Sequence, residues 1–340
     1  MRYYIKITFV SIFFIFIACG SIFGENSKGY LGKSLPASFI AFSADSVWNT
    51  PIGKDAKEDF SSELMIRKLK TKSSGLKADS YKWSIPLFVI DSSKVKGVKV
   101  RASEEAFAPN VDPKAIGRVT GIPIPTEAWA DPEKDGHMLL IDPKLRKSWD
   151  FSRAKKRGDG SWRATRVDIW DLNGEGVRAP FEGKRWWMQG ARGSGFPLIA
   201  GLIRVEEIEA GVINHALAYA TPINRKTGYP GGEAELCSPP ASRTDGRGVG
   251  PGFIPVGARM QLDPELDLDK LGLTKATKVI AKAMQVYGMY NSDGAGTFKL
   301  YLQNLGPEDE TYKKYGDFRD LKKIPIESFR VLKCKTAAKY

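Results

Sequence analysis

Between residues 137 and 172 the chain is written in steps of two, and no other feature constrains its fold so strongly. His137, Leu139 and Ile141 alternate with Met138, Leu140 and Asp142, Asp142-Pro143 opens a turn, and residues 147–151 return as a second strand. Successive side chains of a strand point to opposite faces, so this spacing suits a sheet rather than a helix. Gly158-Asp159-Gly160 then reverses the chain into residues 162–172. There Val167, Ile169 and Asp171 share one face, and Trp162, Ala164, Arg166, Asp168 and Trp170 the other. A meander of three or four strands is expected in mid-chain. Upstream, the β-branched runs 85–90 and 95–100, separated by Asp91-Ser92-Ser93, read as a strand pair.

Near the C-terminus the period changes. Thr274 suits an N-cap, Ala276, Val279, Ile280, Ala283, Met284 and Tyr287 recur at three- and four-residue steps, and Gly288 stands where a helix stops. A second, short helix is expected over residues 205–210, a turn-rich loop over 291–296 and a further strand over 297–302. Nothing repeats at a fixed period and no linker divides the chain. The expected architecture is mainly β: an antiparallel sandwich or jelly-roll with one packed amphipathic helix near the C-terminus.

The N-terminus carries a different message. Arg2 and Lys6 precede an apolar run over residues 7–18 that only Thr8 and Ser11 interrupt, which is the layout of a signal peptide. Twelve residues are too few to span a bilayer, which takes roughly 20. Phe16-Ile17-Ala18-Cys19 resembles a bacterial lipobox, so a lipid on Cys19 is expected to hold the protein at a membrane in the cell envelope. Cleavage near Gly20 would instead give a secreted or periplasmic protein. The expected division is a signal peptide over 1–18, a tether over 19–38 and one β-rich domain over 39–335. Outside the cytoplasm Cys237 and Cys334 are free to pair, and their spacing leaves open whether they do.

The formal charge of +13 falls to +11 once Arg2 and Lys6 leave with the signal. Such a balance favours acidic partners, either anionic lipid head groups or uronate-bearing polysaccharides, and an exported protein is not expected to meet nucleic acid. Lysines scattered over a solvated surface would give the same charge. No Cys-x-x-Cys or His-x-x-x-His spacing occurs, so neither a metal nor another cofactor is expected.

Several segments in order carry a likeness: Trp48-Asn49-Thr50-Pro51-Ile52, Gly136-His137-Met138, Trp149-Asp150, Trp170-Asp171-Leu172, residues 190–197, Gly201-Leu202-Ile203, Asn214-His215-Ala216-Leu217, Thr244-Asp245-Gly246, Tyr287-Gly288-Met289 and Leu321-Lys322-Lys323-Ile324-Pro325. With them the chain resembles a large group of secreted bacterial β-rich proteins that have no established reaction. The resemblance implies a single secreted β-rich unit and names no chemistry.

Chemistry therefore has to come from the residues. Only two histidines occur, His137 and His215, each in a patterned β segment, and histidine titrates near neutrality. Asp150 and Asp171 each follow a tryptophan in neighbouring strands, and glycoside hydrolysis needs two carboxyl groups across a cleft. Trp149, Trp162, Trp170, Trp186 and Trp187 offer flat faces for sugars, or fill the core. Arg192, among Gly190, Gly193 and Gly195, suits a substrate carboxylate, as a lyase would need before a base such as His215 or Tyr219 removes the neighbouring proton. Asn49 joins Trp170, Arg192 and Tyr219 as substrate-binding candidates. The expected function is a glycan-cleaving enzyme, glycoside hydrolase or polysaccharide lyase. The alternative is a non-catalytic surface lipoprotein that binds glycan or another envelope component.

Overall fold

The computed structural model describes residues 29–102, 119–178, 190–226, 236–237, 239–316, 318–334 and 337–338. Cys19, Trp186 and Trp187 lie outside the described residues, as does the apolar N-terminal run. The fold is mostly β, with mixed sheets and no closed barrel. One six-stranded sheet has the order β1 (Tyr30–Gly32), β3 (Ile85–Ile90), β6 (Met138–Asp142), β7 (Lys147–Ser152) and β10 (Arg166–Asp171), with β16 (Gln303–Asn304) also on β3. The second has the order β17 (Phe329–Val331), β13 (Arg259–Leu262), β14 (Met289–Gly294), β11 (Leu217–Thr221), β15 (Lys299–Tyr301) and β2 (Lys77–Asp79).

Three apolar layers follow from the alternation within these strands. Leu87 and Val89 of β3 and Leu139 and Ile141 of β6 meet Ala218 and Ala220 of β11, Tyr301 of β15 and the segment carrying Phe196, Leu198 and Leu202. The opposite residues, Phe88, Met138, Leu140 and Phe151, pack with Val100, Trp162 and Ala164 of a small sheet ordered β5 (Val119–Ile122), β4 (Val98–Ala102), β9 (Trp162–Ala164) and β8 (Lys155–Lys156). On the far side of the second sheet, Tyr219, Met260 and Leu300 pack against three helices: α1 (Ser62–Lys72), α2 (Val205–Ala210) and α3 (Lys275–Val286). The strand through β15 and β16 joins the two large sheets: Tyr301 pairs with Asp79 in one, and Gln303 with Ile85 in the other.

The β6–β7 hairpin, α2 and α3 fall where the pattern places them, with Thr274 capping α3 by accepting from Thr277 N–H and Gly288 at a φ of 66° behind it. Other expectations need correction. The sheets are not purely antiparallel, since β3–β6, β11–β14, β15–β2, β16–β3 and β4–β9 are parallel. More than one helix packs on the sheet; α1 buries Met65, Ile66 and Leu69. The runs 85–90 and 95–100 do not pair, because β3 bonds β1 and β6 while β4 bonds β5 and β9. The run 162–172 breaks at Thr165, which sends β9 to the small sheet and β10 to the large one. Strand pairing starts at Tyr30 and Leu35 is buried, so residues 30–38 belong to the fold and not to a tether. Cys237 and Cys334 form a disulfide with their Cα atoms 5.4 Å apart, beside a short pair of strands, β12 (Leu236–Cys237) and β18 (Ala337–Ala338).

Candidate functional site

The segment Asn291-Ser292-Asp293-Gly294, which reads as a loop, is part of the central strand β14. Its polar side chains are each used. Asn291 donates to Asn224 Oδ1 at 2.8 Å and Ser292 Oγ to the Tyr219 carbonyl at 2.8 Å. Opposite Tyr219 and Ala220 the pairing jumps from Asn291 to Asp293, leaving Ser292 as the extra residue of a bulge. Ala218, opposite Tyr290, and Ala220, opposite Asp293, both face the layer between the large sheets. Without the bulge, Asp293 would point to the helix side. A bulge re-aims a side chain in this way, and bulges are common next to working sites.

There the Asp293 carboxyl accepts the Tyr301 hydroxyl at 2.8 Å on Oδ2 and the Gly193 N–H on Oδ1. Burial lifts its pKa to about 6; Arg192 opposes the shift, nearby Asp245 adds to it, and the Gly193 and Tyr301 hydrogen bonds oppose it. Asp245, exposed, accepts Gly294 N–H at 2.8 Å and Asn224 Nδ2 at 3.0 Å. A methyl group on Gly193 would stand 2.5 Å from the Asp245 carboxylate, so the backbone passes between two carboxyl groups where only glycine fits.

Arg192 lies under this turn, fully buried, its guanidinium 4.4 Å from the centre of the Tyr301 ring. One nitrogen donates to the Leu198 carbonyl at 3.1 Å, while Nε and Nη1 have no partner. A buried donor left unpaired costs about 1–3 kcal/mol. Arg243 fixes the turn from the other side through the Arg192 and Gly190 carbonyls. Gly190, at a φ of 75°, would carry a Cβ only 2.4 Å from Gly195 Cα, so the turn closes tightly on itself.

Near Asp293 and Arg192 stand Lys299, Trp83, Asp131, Asp135 and His137. Lys299 Nζ donates to the Trp83 carbonyl at 2.5 Å and lies 5.1 Å from the Tyr301 ring. Burial lowers its pKa to about 8, against Asp131, Asp79, Asp293 and Asp135. Burial likewise raises Asp131 to about 6 despite its hydrogen bonds from Ser84 and Glu133 N–H. Half-exposed Trp83 holds a φ of 55°, uncommon for a residue with a bulky side chain. Burial holds His137 down at about 4; Asp135 pulls upward and Arg192 pushes further down, so its ring is neutral at pH 7. Perturbed groups gathered in one cluster mark a candidate site.

His215 belongs to a different cluster. It lies in the loop before β11, with Nδ1 2.9 Å from the Ala216 carbonyl and Nε2 3.0 Å from Glu207 Oε1. Both ring nitrogens face acceptors, which fits the doubly protonated ring. Burial alone would lower the His215 pKa, but Glu207 outweighs it and the net shift is upward. Glu207 also accepts Arg204 Nη2 at 2.7 Å and Arg204 N–H at 3.0 Å, and Arg204 donates to the Pro36 and Phe39 carbonyls. Phe39, Phe42, Trp48 and Asn49 wall a shallow cleft over this network, enclosing about 300 Å³ that includes open solvent. Asn49 is committed to the chain itself, donating to the Ala41 and Ser43 carbonyls at 2.8 Å each.

The remaining expected residues do not form one hydrolytic cleft. Asp150 pairs across the sheet with Asp168, three positions from Asp171, so Asp150 and Asp171 point to opposite faces. Asp150 is buried, accepts Leu198 N–H at 2.6 Å and is pushed up to about 7 by burial. Asp171 is exposed and accepts Asn173 N–H at 2.9 Å in a turn. The two do not face one cleft as a hydrolytic pair. Trp149, Trp162 and Trp170 fill the core, Trp170 under the Arg178 guanidinium at 3.7 Å. Tyr219 is buried against Phe298 on the helix side, and burial raises its pKa far above the ordinary value. Of the expected residues, His137 and Asp150 both lie close enough to act on Arg192, and Asp150 and Arg192 share Leu198 as hydrogen-bond partner. Asp293, Tyr301, Lys299 and Trp83 are not among the expected residues, and the only sequence signal for Asp293 is a polar Asn-Ser-Asp run shortly after the amphipathic α3. No family model, curated protein or solved structure matches the chain.

Proposed function

We propose that the protein is an exported, lipid-anchored enzyme that cleaves acidic glycans by elimination, working at Asp293 rather than at His215. The observation that carries the reading is the wholly buried Arg192 with two nitrogens unspent beside a carboxyl group whose pKa lies near 6. Lys299 meets a uronate carboxylate beside Asp293, and Arg192 completes the counter-charge when the turn 190–195 yields. Asp293 takes the proton from the carbon next to that carboxylate. The electron pair forms a carbon–carbon double bond as the glycosidic carbon–oxygen bond breaks, and the Lys299 ammonium returns a proton to the leaving oxygen. Tyr301 orients Asp293, and half-buried Trp83 offers its ring to a sugar.

A second reading rests on the Asp245 and Asp293 carboxyl groups flanking Gly193: a raised carboxyl as proton donor and an exposed carboxylate as base would suit hydrolysis. The test is incubation with neutral and uronate-containing polysaccharides, reading both reducing ends and ultraviolet absorbance, with Asp293→Asn as control. Reducing ends together with absorbance, both lost in the variant, support elimination. Reducing ends alone, lost in the variant, select hydrolysis. Retained binding with no cleavage of any glycan leaves a surface binding protein.

A further inference from the structure

The small sheet buries one face and turns the other to solvent. Val100, Ala102, Trp162 and Ala164 pack inward against the large sheet, while the residues that alternate with them, Lys99 and Arg101 of β4 and Arg163 of β9, are exposed, as is Lys155 of β8. The register lines up three of these cations: Arg101 stands opposite Arg163, and Arg163 opposite Lys155. Neighbouring strands lie about 4.8 Å apart, so the row runs straight across the sheet. Lys99 extends it along β4, and exposed Arg157 along the chain beyond Lys155. Like charges directly opposite one another destabilise a sheet. Among the described residues none of Lys99, Arg101, Lys155 and Arg163 has an ion pair to offset this. Asp159, in the turn between β8 and β9, lies near Arg157 and accepts from Ser161 N–H and Oγ.

We infer that this face holds a linear polyanion, an acidic polysaccharide laid across the strands of the small sheet. A polymer that repeats its carboxylates brings the counter-charges that the row lacks, and the arginine fork binds each carboxylate in two places. A membrane surface would need apolar side chains to bury among the cations, and among the described residues no large apolar side chain is exposed on this face. The large sheet separates the row from Asp293, which faces the layer on its other side. The row is therefore a second place of binding, outside the reacting cluster, and it rests on the proposed function only for the class of polymer.

Calorimetric binding of polygalacturonate and of its fully methyl-esterified form tests this, in an Asp293→Asn background so that no polymer is consumed. The acid form should bind and the ester should not. Arg163→Gln, at the centre of the row, should weaken binding about threefold, and the triple change Arg101→Gln, Lys155→Gln and Arg163→Gln on the order of tenfold, with both losses shrinking as salt rises. Arg163→Gln relieves repulsion on both sides, so its melting temperature should hold or rise, which keeps weakened binding distinct from a damaged fold. Equal binding of the two polymers, or binding of the acid form that the triple variant leaves unchanged, would overturn the inference. So would tighter binding to phosphatidylglycerol vesicles than to the polymer, lost in the triple variant, which would assign the row to a membrane. The proposed reaction fails or stands separately: binding through the row with no cleavage by the parent supports the row and removes the reaction. Cleavage by the parent, with the triple variant still binding fully, does the reverse.

Discussion

Arg204 and Arg192 are both buried arginines beside a carboxyl group, yet only one is saturated. Arg204 spends its hydrogen bonds on Glu207 and two backbone carbonyls, and Glu207 in turn holds His215. Arg192 keeps Nε and Nη1 unpaired, next to a carboxyl group whose pKa has risen to about 6. A closed network has nothing left to offer a ligand, so it fixes structure. An open one costs free energy in the resting protein and recovers it when a ligand arrives. The difference separates the two histidines as well: His215 sits between acceptors that favour its charged form, and His137 is a neutral ring beside the open cluster.

The contrast can be broken most sharply at Asp293. Asp293→Asn should lower turnover about 10³-fold, within the range expected for loss of a general base, while leaving melting nearly unchanged. Glu207→Gln should do the reverse. It leaves the buried Arg204 guanidinium without its carboxylate and removes the partner of His215 Nε2, so it should cost about 3 kcal/mol of stability in denaturant titrations and spare turnover of the folded fraction. The smallest effect belongs to His215→Gln. His215 has a folded pKa above its ordinary 6.5, so the stabilisation it gives is fully present below pH 6.5 and fades as pH rises through the folded value. The variant should be less stable by about 1 kcal/mol at pH 6 and approach the parent in alkali. A pH-independent difference would remove the charged pair from the account.

What the sequence disclosed follows the same division. Period-two and helical spacings located the β6–β7 hairpin and α3, because burial on regular elements leaves a local pattern. Arg192 was legible through its small neighbours, which the tight turn requires. Asp293 was not. Asn-Ser-Asp-Gly has turn chemistry, and only pairing with β11, together with side-chain partners outside the segment, Asn224, Tyr219, Tyr301 and Gly193, makes it a central strand. Asp150 and Asp171 misled for a related reason: equal spacing after a tryptophan says nothing of register, and the observed register places Asp150 opposite Asp168. Whether a buried polar group is spent or unspent depends on contacts that no local pattern records.

The central claim is that Asp293, held by Tyr301, is the working base. Its most direct test is the pH dependence of kcat/KM on a uronate polysaccharide for the parent and for Tyr301→Phe. The parent profile should rise through a pKa near 6. The Tyr301 hydroxyl favours the ionised carboxylate, so its loss should carry that limb to higher pH without abolishing cleavage. A limb that stays in place in Tyr301→Phe but disappears in His215→Gln would contradict the account and return the chemistry to the histidine.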